Sequence, residues 1–395
     1  MRHFSLKGLF KGFRQEPPLG WSQLSHQKVR LVVALTGVAF ADILIFTMLG
    51  FQDMLLEGST FVHKRLRADL ILIGERTEAL YMGQPFSRRR LYQADAVEGV
   101  ASANPFYLGG GQWINPWDRE STEIMLLAFD PDRPVLEMPE VNQQLDQIKL
   151  PNVVLLDREA QPKMGPVSET LAQGKPVTTE LSGHRISVGG QFTLGSSIFT
   201  EGHLITSDWN YERLNGPGSL DTVNLGALIL EPGADREGVL QALEQRLPSD
   251  VKVLTPEAFI QSEVSFWSGQ TAGVIFNFGA IMGLIVGIVI VNQVLYSDVN
   301  DHLPEYATLK AMGYSDRRLL AVVFQEAIIL ALLGFLPGYA VSLGMYRLLA
   351  SLTKIPLTMR LAVMLQVFTA TLIMCTVSAA ISMRKLSAAD PADVF

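Results

Sequence analysis

Four stretches of this chain are apolar enough and long enough to cross a bilayer, and they limit its fold more than any other feature. A spanning helix needs about 20 residues. The stretches are Leu31 to Phe51, Gly273 to Leu295, Leu319 to about Leu349, and Leu361 to Met383. In lipid every backbone donor and acceptor must be met within the segment, so each stretch is expected to be a helix. The first and second are separated by a long region of ordinary soluble composition; the last three follow closely on one another. The expected fold is therefore membrane α-helical, with four transmembrane helices and a large extracytoplasmic α+β domain inserted between helices 1 and 2.

The segments divide as follows. Residues 1–30 form a cytoplasmic interfacial segment, 31–54 the first span and 55–271 the outer domain. The second span is 272–296, a polar cytoplasmic loop 297–318, and the third span 319–350. A short outer loop (351–360), the fourth span (361–383) and a cytoplasmic tail (384–395) complete the chain. The basic start and the "AFA" at Ala39 to Ala41 resemble a cleavable signal peptide. The apolar run continues through "ILIFTMLGF", however, and points to an uncleaved anchor.

Lys and Arg near the membrane set the orientation. Arg2, Lys7, Lys11, Arg14, Lys28 and Arg30 precede the first span, and Arg384 and Lys385 follow the last. Lys310, Arg317 and Arg318 lie between the second and third, while Lys354 and Arg360 in the other short loop give a weaker opposing signal. Residues 55–270 hold 18 Lys and Arg against 29 Asp and Glu. Both termini are thus expected in the cytoplasm of a multi-pass inner-membrane protein, with the large domain in the periplasm. An acidic outer domain argues against nucleic acid as a partner. The single cysteine, Cys375, lies in the fourth span, so no disulfide can form within the chain.

In "FSLKGLFKGFR", Leu6, Leu9, Phe10 and Phe13 recur with helical spacing opposite Lys7, Lys11 and Arg14. This pattern predicts a helix lying on a lipid membrane surface. In the outer domain, strands are expected in runs beginning at Ala68, Thr122, Asn152, His184, Gly202, Asn224 and Val251. Helices are expected from Arg88 to Ala101, Pro139 to Leu150 and Asp235 to Leu247.

Motifs for catalysis are scarce. "GQFTLGSS" from Gly190 has the glycine spacing of a phosphate-binding loop, but Ser196 stands where that loop needs Lys. His184 and His203 lack partners at metal-ligand spacing, so no metal is expected. No catalytic residue is assigned, and the chain is expected to bind no cofactor of its own.

Polar groups inside spans carry more weight. Asp42 lies mid-way along the first span, where a lone carboxylate costs about 2.5–3.5 kcal/mol. It must pair, protonate or face water. Asn277, Asn292, Gln293, Gln325 and Glu326 are candidate partners. Glu326, near Arg317 and Arg318, reads as half of an interfacial ion pair. Gly279, Gly283 and Gly287 form a small-residue face that suits packing within one chain or between two copies, as do Ala34, Gly37 and Ala41 on span one. Pro337 and Gly338 are expected to kink the third span.

The polar stretch "HLPEYATLKAMGYSDRRL", residues 302 to 319, lies between two of the apolar runs. Pro304 suits a first helical turn and Gly313 a helix end. A short amphipathic helix is expected just below the membrane. This stretch resembles the coupling helix of MacB/FtsX-type ABC transporter permeases. "FQEAIILALLGFLPGYAVSLGM" from Phe324 is similar to their third span, and "MRKLSAADPADVF" to their C-terminal tail. "KVRLVVALTGVAFADILIFTMLGFQDML" and "PNVVLLD" resemble the DevC subfamily.

The resemblance implies a permease without an ATPase site. Glu305, Tyr306, Leu309, Lys310, Met312, Gly313 and Tyr314 would dock on a separate ABC ATPase subunit that uses ATP and Mg. Two permease copies would form a homodimer. They would work with a periplasmic membrane-fusion adaptor and, indirectly, an outer-membrane TolC-type channel. The cargo would be an amphiphile such as a glycolipid. The alternative is an FtsX-like transducer that controls an external hydrolase.

Overall fold

The computed structural model describes residues 28–195, 199–302, 304–305, 308, 312, 316–353 and 357–388. The interfacial helix expected before residue 28 lies outside them. Two compact units are present. One contains the chain up to Phe51, Ile275–Leu348 and the part from Thr358 onward; the other contains Gln52–Val274 and Leu349–Leu357.

The chain enters through helix α1, Lys28–Thr60, which continues without a break past Ala41. Eleven strands follow among the described residues. They are β1 (Leu70–Gly74), β2 (Phe86–Ser87), β3 (Val100–Ile114), β4 (Ser121–Phe129), β5 (Val153–Asp157), β6 (Val177–Leu181), β7 (His184–Phe192), β8 (His203–Ser207), β9 (Thr222–Val223), β10 (Leu225–Leu230) and β11 (Val251–Leu254). Between them run α2 (Arg89–Asp95), α3 (Pro139–Asn142), α4 (Leu145–Ile148), α5 (Val167–Ala172), α6 (Asp208–Asn215), α7 (Arg236–Arg246) and α8 (Pro256–Gly269). Three long helices complete the fold: α9 (Thr271–Asp301), α10 (Asp316–Thr353) and α11 (Leu361–Ala388). With α1 they are the four described helices long and apolar enough to cross a membrane.

All seven expected strands are present. Their sheet runs β11-β1-β10-β3-β4-β8-β5-β7-β6, and β6 also pairs with β3 through Trp113 and Leu181. That pairing closes β3, β4, β8, β5, β7 and β6 into a ring. β3 is long enough to serve both regions: Val100–Phe106 pairs with β10 and Phe106–Ile114 with β4. β1, β5 and β8 are buried along their whole length. Alternation then splits their side chains between two cores. Leu70 and Leu72 enter one, with Tyr107 and Leu126; Ile71 and Ile73 enter the other, with Phe106 and Phe129.

Two expected helices are shorter than the sequence suggested. The one from Arg88 ends at Asp95, because Gly99 turns the chain with φ 89° and Val100 begins β3. The one from Pro139 is split into α3 and α4. Helix α8 starts where Thr255 Oγ1 accepts from the Ala258 amide and Pro256 takes the first turn.

Candidate functional site

Helix α1 is held by three neighbours, and small residues make the approach possible. A Cβ at Gly283 of α9 would lie 3.0 Å from Ile45 Cγ1, and one at Gly279 would lie 2.8 Å from Met48 Cγ. At Gly287 it would come within 2.8 Å of Ala41 Cβ. The glycine series therefore packs against span one of the same chain, as small residues do where helices approach in lipid. Helix α10 uses the same device: Gly334 faces Val38, and a Cβ at Gly338 would meet Asp42 Cβ at 2.9 Å. Pro337 lies inside an unbroken helix. Tyr346 donates from its hydroxyl to the Phe46 carbonyl, adding a polar tie between α10 and α1.

Asp42 is fully buried at the centre of this arrangement. Its partner differs from those the sequence suggested. The donor is Thr371 of α11, whose Oγ1 lies 2.6 Å from Asp42 Oδ1. Oδ2 has no hydrogen-bond partner among the described residues. Asn292 instead accepts from Ser382 at 2.9 Å, and Ser378 donates to the Ile288 carbonyl at 2.9 Å, so both tie α9 to α11. Asn277 and Gln293 lie on exposed positions of α9.

A second polar cluster joins three helices at the other end of α9. Arg30 of α1 pairs with Asp301 through Nη2, and its Nη1 lies 3.6 Å from Asp298 Oδ1. His302 Nδ1 lies 3.0 Å from the Asp298 carbonyl and 3.8 Å from Oδ1. The Glu326 carboxyl of α10 lies against that of Asp298, and both residues are buried. The neighbour of Glu326 is thus an acid on α9; the side chains of Arg317 and Arg318 lie outside the described residues.

The stretch after His302 is described in part. Pro304, Glu305 and Thr308 are helical, and Thr308 donates to the Pro304 carbonyl at 2.8 Å. Met312, a turn further on, is 64% exposed. Tyr306, Leu309, Lys310, Gly313 and Tyr314 lie outside the described residues. So does Ser196 of the glycine-spaced "GQFTLGSS", whose first residues belong to β7.

The unit that carries the sheet has its own buried histidine–carboxyl contact, which sequence reading missed. His63, three residues past the end of α1, places Nε2 3.0 Å from Glu263 Oε2 on α8. Glu263 also accepts from the Leu80 amide at 2.8 Å and from Trp267 Nε1 at 2.6 Å. Phe259 covers the imidazole, with ring centroids 4.2 Å apart. Elsewhere in this unit a cleft of about 970 Å³ is lined by Gly110, Gln112, Glu123, Phe199, Lys163 and Glu201, the last two paired at 2.9 Å.

The FtsX-like permease C-terminal family matches residues 277–391, which hold α10, α11 and most of α9. No curated protein sequence matches the chain. One similar solved structure is the periplasmic region of MacB from Actinobacillus actinomycetemcomitans. It is 12% identical, with 53% of this chain and 96% of that one covered and a TM-score of 0.34. Another is the extracellular domain of the noncanonic ABC-type transporter YknZ from Gram-positive bacteria. It is also 12% identical, with 47% and 99% covered and a TM-score of 0.31.

Proposed function

Starting from the FtsX-like permease domain that the chain carries at residues 277–391, we propose that it is the membrane subunit of a MacB-like, DevC-type ABC exporter. The observation that carries this reading is the polar segment from His302 onward, set between two helices of that domain and exposing Met312. An exposed apolar side chain on a polar segment between two spans suits a groove on a soluble partner. In this reading the partner is a separate ATPase subunit that uses ATP and Mg.

Two permease copies pair. ATPase closure pushes the coupling segments, and the spans pass that motion to the periplasmic domains. An amphiphilic cargo, such as a glycolipid, then leaves through an adaptor and a TolC-type channel. Both termini lie in the cytoplasm. The tight packing of α1 against α9, α10 and α11 supports joint movement of the spans, because a close-packed interface transmits displacement and does not absorb it.

The test is affinity purification of the full chain in mild detergent. An ABC ATPase and a periplasmic adaptor should co-elute. An ATPase that elutes with an external hydrolase in place of the adaptor would turn the reading toward an FtsX-like signal transducer. Elution without any ATPase would end it.

A further inference from the structure

Arg30, Asp298 and Glu326 belong to α1, α9 and α10, and their bonding capacity is not used up where they meet. Arg30 spends Nη2 on Asp301, but Nη1 is buried without a hydrogen bond. At 3.6 Å its approach to Asp298 Oδ1 is an ion pair and too long for a hydrogen bond. Asp298 Oδ2 and both oxygens of Glu326 are buried, and no N–H or hydroxyl donor among the described residues reaches them; the two carboxyls face each other. Buried polar groups are nearly always bonded, and exceptions call for an explanation.

A spare donor and spare acceptors in one cluster fit a pair that changes partners. The guanidinium of Arg30 is a planar fork suited to two parallel bonds with one carboxylate. Here it divides itself between Asp298 and Asp301 and makes no such bond with Asp298. Glu326, on a third helix, sets its two oxygens against the Asp298 carboxyl, and no cation among the described residues bonds them. A small slide of α10 along α1 would present them to Arg30, and packed helix interfaces do move between discrete positions.

Resting on the permease reading, we propose that this cluster is a two-position switch. Arg30 holds α9 through Asp298 and Asp301 in the arrangement described here, and transfers to Glu326 of α10 when the coupling segment moves. His302 links the switch to that segment. It leans on Asp298 and stands two residues before Pro304, so a displacement of the segment reaches Asp298 at once.

Two variants bias the switch in opposite directions. Asp298→Asn with Asp301→Asn weakens the first pairing; Glu326→Gln removes the second. In the full chain co-purified with its ATPase, the double variant should raise cargo-free ATP hydrolysis by at least about fivefold, the low end of coupling between sites. Glu326→Gln should lower stimulated hydrolysis by a similar factor, with the same amount of ATPase retained. Simple structural damage would lower both.

The chain alone supplies a second readout. Spin labels at the exposed Val29 and Ile328, in a Cys375→Ser background, report the distance between α1 and α10. The Asp298/Asp301 variant should shift the distance distribution, and Glu326→Gln should leave a single population. Equal signs in the hydrolysis assay, or unchanged distances in the Asp298/Asp301 variant, overturn the switch. So does an Arg317→Gln, Arg318→Gln variant that reproduces Glu326→Gln. If no ATPase co-purifies, the permease reading fails and the spin-label distances alone decide.

Discussion

The Thr371 hydroxyl on the fourth span lies 2.6 Å from Asp42 Oδ1 on the first, and both residues are fully buried. The bond joins the two ends of a chain whose spans are 329 residues apart in sequence. Thr371→Val keeps the shape and removes the donor. It should weaken the bundle by about 0.6 kcal/mol, the average for such bonds between membrane helices, and by no more than about 1.7. Asp42→Asn should keep the contact, while Asp42→Leu should insert at least as well and assemble less firmly. Unfolding of the purified chain in mixed detergent measures all three. Normal transport by the Leu variant and loss by the Asn variant would assign a role to the carboxylate's charge.

Two glycines on α10 should respond oppositely to alanine. A Cβ at Gly334 would lie 2.6 Å from Val38 Cβ and force α1 and α10 apart; one at Gly344 would meet nothing within 4 Å. Gly334→Ala should destabilise by about 1–3 kcal/mol, as overpacking does. Gly344→Ala should be neutral or stabilising by up to about 1 kcal/mol, because Ala is the better helix former. The same unfolding assay, run side by side, checks the contrast.

Glu263 gathers three partners from separate parts of the outer domain: His63, the Leu80 amide and Trp267. Glu263→Ala should strand them and cost about 1–3 kcal/mol for each buried donor left unsatisfied. Urea unfolding followed by tryptophan fluorescence should show a lower midpoint with an unchanged slope. A shift below about 0.5 kcal/mol, typical of surface positions, would mean that the pair does not hold the domain together.

Burial raises the Asp208 carboxyl above its ordinary value of 3.8, and Asp130 adds to the effect. The folded chain therefore keeps this proton to higher pH than the unfolded chain does. The stability that the proton brings is complete below 3.8 and is lost as the pH climbs through the raised value. Asp208→Asn should flatten that part of the stability profile, read from urea midpoints at a series of pH values from about 4 upward.

Tyr306, outside the described residues, is expected to anchor the coupling segment in its partner. Tyr306→Asp should leave membrane insertion intact and abolish stimulation of the ATPase. Full partner-dependent activity in that variant would remove the docking proposal.

Much of the outer domain was legible because its strands are continuous runs of Val, Ile and Leu, such as "LILIG" and "VVLLD". The longest strand was not. β3 contains Pro105 and three consecutive glycines, which read as turn residues. The glycines suit their neighbours instead: a Cβ at Gly109 would sit 3.0 Å from the Tyr211 ring, and one at Gly111 2.8 Å from Leu181 Cδ1. Asp42 was visible as an anomaly, but Thr371 was not. A threonine in an apolar helix gives no outward sign, since its hydroxyl also lies within reach of its own helix: Thr371 Oγ1 is 2.8 Å from the Val367 carbonyl oxygen, which competes with Asp42 for its one proton. The pairing of His63 with Glu263 spans 200 residues, and no local pattern marks it.

The pairing of β6 with β3 bears on how this domain keeps apart from copies of itself. A sheet that ends in open strands invites a second molecule to add to it. Among the described residues the ring leaves no long strand unpaired, and the free end of the sheet is β11, only four residues long. With Cys375 as the only cysteine, no covalent staple guards a half-folded copy. Protection against self-association comes from topology, so the domain is indifferent to redox conditions and should stay monodisperse in reducing and oxidising buffers alike.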